Sequence, residues 1–437
     1  MLLQFTIENF LSFRDRTVLS MLADPRVAHT NEQICARARH QTLRMVGLYG
    51  ANGSGKSNLV KAFALVRKMV LDGTSRDDER FPITPFKLDT EHGQAPTHIE
   101  IDFILDEIHY SYGFEATTRQ VHAEWLYRVD ASGETPLFTR DSVADATIAI
   151  GDALSPDPER RKILGYAATL TRENQLFLAE AGKLKIPELA PFRHYFGQWV
   201  VVWPQSAYAP MFPRMERDAK FVAQVAQLLA DAGTGIAGLR VSKHPQEGAQ
   251  EALMDLLERA GPERSIAVGE GGLTALRLTD DRRVEQLELW ATHTTPQGPS
   301  TELNIREESD GTQRLLHLAP LLHDLDQQHS LCIIDELDRS LHPLLTRLFL
   351  QRFIVQAQSG AGQLIFTTHD TNILDFKLLS RDSVGFVEKD VDGRSITYPL
   401  SELNQAQVDE VEAHGLEAAY LDGRFGAIPF LGIRKRG

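Results

Sequence analysis

The first residues of the chain alternate between apolar and polar side chains. Residues 1–8 follow this alternation, and the same period of two recurs in residues 99–105 and 110–115. Such alternation is typical of strands that bury one face. The pattern therefore predicts an N-terminal strand and an antiparallel sheet in the first part of the chain.

Other segments have the patterns of buried strands or of helices. Short apolar runs that predict strands lie at 45–49, 198–203, 284–292, 331–334, 363–368 and 383–389. After the run 45–49, helical spacing and a closing glycine predict a helix, marked by Leu59, Phe63, Val66, Val70 and Gly73. Residues 155–188 and 206–265 also have mostly helical patterns. The second of these segments carries an apolar stripe that indicates a core or dimer contact: Phe221, Val222, Val225, Leu228 and Leu229.

Residues 50–57 match the pattern G-x-x-x-x-G-K-[ST] and lie between the apolar run 45–49 and the helix that follows it. In this pattern, glycines let backbone N–H groups turn toward phosphate oxygens, the lysine reaches the β and γ phosphates, and the last hydroxyl ligates Mg²⁺. The segment predicts a site for a nucleoside triphosphate. Its predicted binding residues are Asn52, Gly53, Ser54, Gly55, Lys56 and Ser57.

Two adjacent carboxylates, Asp335 and Glu336, follow the apolar run 331–334. An acid at the tip of a buried strand is placed to complete the Mg²⁺ shell, and an acid one residue further is placed to act on the water that attacks the γ-phosphate. We predict that Asp335 and Ser57 ligate the metal and that Glu336 is catalytic. A lone histidine after a strand is usually a simple polar group. Because of its place in this order of motifs, His369 is predicted to sense the γ-phosphate.

A third motif, at residues 308–313, precedes the apolar positions Leu315, Leu318, Leu322 and Leu325. Ser309 or Asp310 can cap the helix, Gly311 lets another backbone approach, and the helix dipole favours an anion. An ordinary capped surface helix is the alternative. The position of the segment just before the acidic strand end favours a phosphate contact.

Composition and charge agree with a large folded head. The chain has 437 residues, 42% of them hydrophobic, which suits one large head with an inserted subdomain. Its net charge of −14 does not indicate a general affinity for nucleic acid, although a local basic face stays open. The cysteines Cys35 and Cys332 form no disulfide framework or metal motif. With neither a cationic leader nor an apolar run of membrane-spanning length, the protein is expected to be cytoplasmic, with no membrane partner.

Taken in order, these motifs resemble those of ATP-binding-cassette (ABC) ATPases, in the branch of chromosome-maintenance and break-repair proteins. The corresponding segments are Walker A at 50–57, the signature at 309–313, Walker B at 331–336, the D-loop at 337–340 and the switch histidine at His369. The signature departs from that of transporters at Asp310, where a glycine is expected. More narrowly, residues 7–13, 335–343 and 423–430 resemble stand-alone prokaryotic AAA-family ATPases of the RloA and AbiL phage-defence type.

The resemblance implies a homodimer that encloses two ATP molecules, each bound by Walker A of one subunit and the signature of the other. It assigns four further residues to nucleotide binding: Ser309, Gly311, Gln313 and Asp338. It also implies base contacts from residues just after the first strand, for which Phe13 and Arg14 are candidates, with core packing as the alternative. Gln175 and Gln205 are candidates for the Q-loop glutamine.

The predicted fold is α/β, a P-loop NTPase of ABC-ATPase type with a two-lobed head of mixed and antiparallel sheets flanked by helices. Lobe I spans 1–205, a compact and mostly helical insertion spans 206–280, and lobe II spans 281–437. No sustained heptad array occurs between Walker A and the signature, which argues against a long coiled-coil arm. Fewer than 70 residues follow His369, without the acidic set of a Toprim nuclease. Any nuclease activity would therefore belong to another chain.

These features predict an enzyme that hydrolyses ATP at a shared dimer interface and acts as a nucleotide-driven switch. The resemblance implies that the switch controls a separately encoded effector, with a Toprim-type nuclease as one candidate, in antiphage defence by abortive infection. The assembly is expected to be the homodimer or a higher homo-oligomer. Two alternatives stay open: an ATP-bound scaffold that sequesters an effector without turnover, and a DNA-repair clamp, against which the acidic charge argues.

Overall fold

The computed structural model describes residues 1–89, 92–142, 148–205, 211–246, 248, 251–260, 265–269, 272–294, 298–327, 331–358, 360, 362–402 and 417. The motif at 423–430 and the basic run at 434–436 lie outside these residues. The chain divides into two compact units. Unit 1 comprises Met1–Val201, Gln328–Asp335 and Ala357–Gly437, and unit 2 comprises Val202–Gln327 and Glu336–Gln356.

Unit 1 contains a seven-stranded antiparallel sheet. Its strands are β1 (Leu2–Glu8), β2 (Thr17–Ser20), β6 (Thr97–Leu105), β7 (Ile108–Ala116), β8 (Val121–Asp130), β9 (Gly133–Asp141) and β10 (Ile148–Ile150). They lie in the order β10-β9-β8-β7-β6-β1-β2. The predictions of an N-terminal strand and of antiparallel pairing between the runs 99–105 and 110–115 are confirmed. A separate hairpin joins β3 (Ile34–Arg37) and β4 (His40–Leu43).

A second sheet of unit 1 is mostly parallel. Its strands are β5 (Met45–Tyr49), β11 (Val200–Val202), β17 (Leu331–Ile334), β18 (Gln363–Thr367), β19 (Val384–Lys389) and β20 (Ser395–Pro399). Their order is β11-β17-β18-β5-β19-β20. The four neighbouring strands β17, β18, β5 and β19 are parallel to one another, and β20 returns antiparallel to β19. Strands β5, β17 and β18 are buried along their whole length, as expected of central parallel strands.

The helices of unit 1 pack around an aromatic core. They are α1 (Lys56–Leu71), α2 (Pro158–Leu170), α3 (Phe177–Lys183) and α4 (Ala190–Gly197). Phe63 of α1 stacks on Phe5 of β1 with ring centroids 3.9 Å apart, and its edge meets Trp199. Helix α1 ends as predicted at a glycine, because Gly73 has a φ of +61° and donates its N–H to Lys68 O. The core thus fixes α1 against the antiparallel sheet.

Unit 2 combines a five-stranded antiparallel sheet with five helices. The strands are β12 (Ile236–Pro245), β13 (Ser265–Val268), β14 (Thr274–Leu278), β15 (Val284–His293) and β16 (Thr301–Asn304). The helices are α5 (Met211–Arg217), α6 (Ala219–Asp231), α7 (Glu251–Arg259), α8 (Asp310–Gln327) and α9 (Pro343–Ala357). Unit 2 also has a short 3₁₀ turn at Ile305–Glu307, whereas the turns at Thr371–Ile373, Arg381–Ser383 and Leu400–Glu402 belong to unit 1. No helix in the described part of the chain is long and apolar enough to cross a membrane.

The segment 206–280 is less helical than its pattern predicts, because it contributes β12, β13 and β14. Strand β12 is mostly half-buried or exposed, so it lacks the strict alternation that identifies a strand. Its pairing with β15 is distant in sequence. This pairing places the segment in one sheet with the run 284–292, and the two units therefore divide the chain differently from the predicted lobes. The apolar stripe of α6 is confirmed as core, with Phe221, Leu228 and Leu229 buried.

Candidate nucleotide-binding site

Three parallel strands bring the predicted phosphate site together at one edge of the mostly parallel sheet. Ile334 of β17 pairs with Phe366 of β18, so the next residues, Asp335 and Thr367, are level with each other. Thr367 in turn pairs with Leu48, two residues before the phosphate-binding loop begins. Parallel strands place their carboxyl ends at one edge, where ligands bind in open α/β sheets.

The phosphate-binding loop has a backbone that requires glycine. Gly50, Gly53 and Gly55 have φ values of 153°, 81° and 120°, a region that other residues rarely enter. A Cβ atom at Gly50 would lie 2.1 Å from Val387 O, and one at Gly55 would lie 2.2 Å from Ser395 Oγ. Both the conformation and the space therefore exclude side chains at Gly50 and Gly55. Asn52 and Gly53 are exposed at the tip of the loop.

The N-terminus of α1 is left open for an anion. Gly55 is its N-cap residue, no side chain in the described part of the chain caps it, and its first turn has no acidic residue. By contrast, Asp157 and Asp218 accept hydrogen bonds from the first turns of α2 and α6. Uncapped N–H groups and the positive end of the helix dipole together form a phosphate site.

Lys56 supplies the positive charge at this helix end. Its side chain is only 6% exposed, and its ammonium group donates to Gly50 O at 2.6 Å and to Ala51 O at 3.1 Å. The adjacent Ser54 hydroxyl is buried and has no hydrogen-bond partner among the described residues. The loop thus combines a cation held by its own carbonyls with an unsatisfied hydroxyl, a donor set that fits a phosphate group.

The predicted metal ligands meet at the start of α1. Asp335 is 4% exposed, and its Oδ1 accepts hydrogen bonds from Ser57 Oγ at 3.1 Å and Thr367 Oγ1 at 2.7 Å. A carboxylate beside a hydroxyl suits Mg²⁺, which takes oxygen ligands and few protein groups. Sequence reasoning missed Thr367. The sequence signal that could have identified it is its position at the end of β18, two residues before His369. His369 itself is exposed.

A group of buried hydroxyls supports the loop from behind, and sequence reasoning did not find it. Ser395, at the start of β20, is 2% exposed, and its Oγ lies 2.7 Å from Ser12 Oγ and 2.5 Å from Ser54 O. Asn58 Nδ2 also donates to Ser12 Oγ at 2.8 Å. Ser12 lies in the resemblance motif at 7–13, but nothing local marks Ser395. These contacts tie the loop to two segments that are far away in sequence.

Replacing Ser395 with alanine is expected to weaken ATP binding roughly tenfold, equivalent to about 1.4 kcal/mol. The change leaves the buried Ser54 carbonyl without its donor and should lower the free energy of unfolding by about 1–3 kcal/mol. A fluorescent ATP-analogue titration and a thermal melt measure the two effects. Ser300→Ala, at an exposed position, is the control. Unchanged affinity in the Ser395 variant would show that the loop keeps its shape without this support.

The two candidates for base contacts differ in exposure. Phe13 is completely buried, which favours the packing role. Arg14 is partly exposed and forms an ion pair with Asp15 at 2.9 Å, while Asp89 lies 3.9 Å away. The Asp15 hydrogen bond is the main reason that the pKa of Arg14 is raised. Arg14 therefore stays the stronger proposal for a contact with the nucleotide base, although Asp15 already pairs with its guanidinium group.

The two glutamines proposed for the Q-loop have different environments. Gln175 is completely buried and its Oε1 accepts hydrogen bonds from the backbone and hydroxyl of Thr74 at 2.7 and 3.0 Å. That amide is committed to a structural contact. Gln205 is exposed and follows β11 by three residues, close in sequence to the start of unit 2 at Val202. Gln205 is the remaining candidate.

In unit 2 the signature segment begins α8 as predicted. Ser309 Oγ accepts a hydrogen bond from Thr312 N at 3.2 Å, so Ser309 is the capping residue. Gln313 Nε2 donates to Glu308 O at 2.8 Å, which folds its side chain back over the helix start. A Cβ atom on Gly311 would lie 2.9 Å from Ser340 O. Glycine is therefore needed where the D-loop backbone packs against the first turn of α8.

Glu336 follows Asp335 as the last residue of the Walker B segment and directly precedes the D-loop. It has a φ of 49°, a conformation that is uncommon for a residue with a side chain. Its side chain is half-buried, and Arg339 Nη1 lies 3.9 Å from its carboxylate. The backbone turns again at Asp338, whose carbonyl accepts from Leu341 N at 3.0 Å. The carboxylates of Glu336 and Asp338 thus lie on a tight, strained turn.

A glycine loop on a parallel strand, a helix start left open beside a buried lysine, and an aspartate that contacts the helix serine define a nucleotide-binding site of the P-loop class. The chain belongs to the family described as "AAA domain, putative AbiEii toxin, Type IV TA system", and the match covers residues 45–375. No curated protein matches the sequence.

Solved structures with a similar arrangement include three heads of structural-maintenance-of-chromosomes (SMC) proteins. The SMC head domain from Thermotoga maritima is 14% identical, with a TM-score of 0.38 over 91% of this chain and 98% of that one. An Smc head bound to the C-terminal winged-helix domain of ScpA is 14% identical, with a TM-score of 0.42 and coverages of 94% and 99%. A Pyrococcus furiosus Smc head with an extended coiled coil, bound to the C-terminal domain of ScpA, is 13% identical, with a TM-score of 0.42 and coverages of 94% and 98%.

Proposed function

We propose that the chain hydrolyses ATP and uses the reaction as a switch, closing as a homodimer around two ATP molecules and reopening after hydrolysis. One observation carries this proposal: Asp335 accepts hydrogen bonds from both Ser57 and Thr367 beside an uncapped helix start, and Glu336 follows it directly. A protein that only stored ATP would need the phosphate loop but not a second carboxylate placed to act on water.

Each residue has a defined role in this proposal. Lys56 and the N–H groups at the start of α1 bind and orient the phosphates, and Ser57 and Asp335 would hold Mg²⁺. The bound metal supplies charge neutralisation at the phosphates. Glu336 accepts a proton from the attacking water at its carboxylate. Ser309, Gly311, Gln313 and Asp338 are proposed to complete the site in the second subunit, and His369 to contact the γ-phosphate.

The output is proposed to be control of a separately encoded effector in defence against phage. The family description names a toxin of a toxin–antitoxin system, which supports a defence role. The RloA and AbiL resemblance supports the same role, with a Toprim-type nuclease as the candidate effector. A gene for such a protein beside this one would strengthen the proposal, because the fold by itself does not fix a biological role.

Light scattering on the Glu336→Gln protein tests the switch. The mass is expected to rise from protomer to dimer with Mg-ATP and to stay at the protomer with Mg-ADP, because only the triphosphate provides a γ-phosphate for the second subunit. Glu134→Gln, an exposed glutamate on β9, is the matched control and should dimerise only transiently because it still turns over. A large mass that is indifferent to nucleotide would overturn the proposal in favour of a constitutive scaffold.

A further inference from the structure

Helix α8 carries a buried arginine with few partners. Arg314 is 5% exposed, and in the described part of the chain it donates one hydrogen bond, from Nη1 to Trp203 O at 3.4 Å. Its Nε and Nη2 have no hydrogen-bond partner among the described residues. Burying charged N–H groups without acceptors costs free energy. In this conformation the residue is therefore a cost to stability.

Other buried arginines of the chain do not share this deficit. Arg44 donates from Nη1 to two backbone carbonyls, and Arg140 donates from both terminal nitrogens to carbonyls of residues 172–175. In both, among the described residues, Nε is the one fully buried side-chain nitrogen that lacks a partner. Their guanidinium groups hold loops together. Arg314, with two nitrogens unsatisfied and one long bond, does not have that structural role.

Arg314 faces the D-loop. It lies three residues after Gly311, whose α-carbon packs against the D-loop backbone at Ser340, and positions three apart share one helix face. The charges that act on its guanidinium are Glu336, Asp338 and Arg339. Glu336 and the D-loop together therefore present two carboxylates and one competing cation to a buried arginine of the signature helix.

The arginine remains a cation in this environment. Burial, with a smaller effect from Arg339, lowers the pKa of Arg314 to about 10, against the opposing effects of Glu336 and Asp338. One turn further, burial and the charge of Arg314 lower the pKa of His317 to about 4, so this histidine is neutral near pH 7. Arg314 thus provides a positive charge with free N–H donors close to Glu336, the residue proposed to act on water.

We propose that Arg314 is a positioning residue, whose free N–H groups bind the carboxylates of Glu336 and Asp338 in the ATP-bound state and so orient Glu336. A guanidinium can hold a carboxylate through two parallel hydrogen bonds, which fixes its direction as well as its position. These bonds form only in that state, so the N–H groups that lack acceptors without nucleotide gain them when ATP binds. The inference rests on the proposed function, since it takes Glu336 as the group that acts on water.

Arg314→Met and Arg314→Lys in the full chain test the inference. The methionine variant is expected to bind ATP up to about tenfold more weakly than the unmodified protein, because the bonds gained in the ATP-bound state are lost, and to lose roughly 10–100-fold in turnover number. Its nucleotide-free melting temperature should be unchanged or higher, because the unsatisfied charge is gone. The lysine variant should recover part of the turnover. Arg140→Met, the matched control, should lower the melting temperature because its carbonyl contacts are lost.

Two results would overturn the inference. One is an unchanged turnover in Arg314→Met, and the other is a melting temperature that falls as far as that of Arg140→Met with a proportional loss of activity.

Turnover by the unmodified protein decides the proposed function separately. If that protein binds ATP without turnover, the ATP-induced shift in melting temperature decides the role of Arg314. A smaller shift in Arg314→Met supports the inference, and an equal shift contradicts it.

Discussion

Replacing Glu336 with glutamine is expected to lower the turnover number for ATP by about 100-fold or more. The amide keeps the size of the side chain but cannot accept a proton from the attacking water at neutral pH. ATP affinity should stay within about threefold, because Lys56 and the start of α1 bind the phosphates without this residue. Release of phosphate under single-turnover conditions, together with an ATP-analogue titration, measures both quantities.

The control for this prediction is Glu134→Gln, which makes the same chemical change at an exposed position on β9. Its turnover should equal that of the unmodified protein. Turnover in Glu336→Gln that matches the control would remove Glu336 from the reaction. The general base for hydrolysis would then have to be a residue of the D-loop or His369.

Replacing Lys56 with alanine is expected to abolish ATP binding at ordinary concentrations. The ammonium group is buried and held 2.6 Å from Gly50 O, so its position at the helix start is fixed before the nucleotide arrives. Truncating one member of a buried, hydrogen-bonded charge pair costs about 2–5 kcal/mol of binding free energy. That range corresponds to a dissociation constant raised roughly 30-fold to several thousand-fold. Calorimetric titration with Mg-ATP measures it.

Lys61→Ala is the matched control for Lys56. Both residues belong to α1, but Lys61 is exposed and its ammonium group reaches only the Asn58 side chain, at 3.3 Å. It should bind ATP normally. Since Lys56 also bonds to the loop carbonyls, a thermal melt separates loss of binding from loss of folding. Retention of affinity in a folded Lys56→Ala protein would contradict the assignment of the loop.

The phosphate loop could be predicted from sequence because all of its parts are local. Gly50 to Ser57 form one uninterrupted motif, and the strand before it and helix after it follow from periodicity. The strand end at Asp335 was equally clear, since an apolar run followed by two acids needs no distant information. The family match over residues 45–375 agrees with that assignment of class.

Contacts between distant segments could not be predicted in the same way. Strand β12 exists because β15 pairs with it, and its own side chains are mostly half-buried or exposed. Thr367 reaches Asp335 through the register of β17 and β18, which a single sequence does not contain. The isolation of Arg314 is visible only when its potential acceptors are located in space. Strand pairing, and whether a buried polar group finds a hydrogen-bond partner, are properties of the folded chain.

The hydroxyl support behind the phosphate loop has a consequence for protein synthesis. Ser12 and Ser395 touch, although 383 residues separate them, and β19 at Val384–Lys389 is the neighbour of β5. A ribosome releases the motif at 50–57 long before it releases these partners. The nucleotide site can reach its finished shape only after residue 395 has emerged, so the affinity of a growing chain for ATP is expected to reach its full value only at that point in translation.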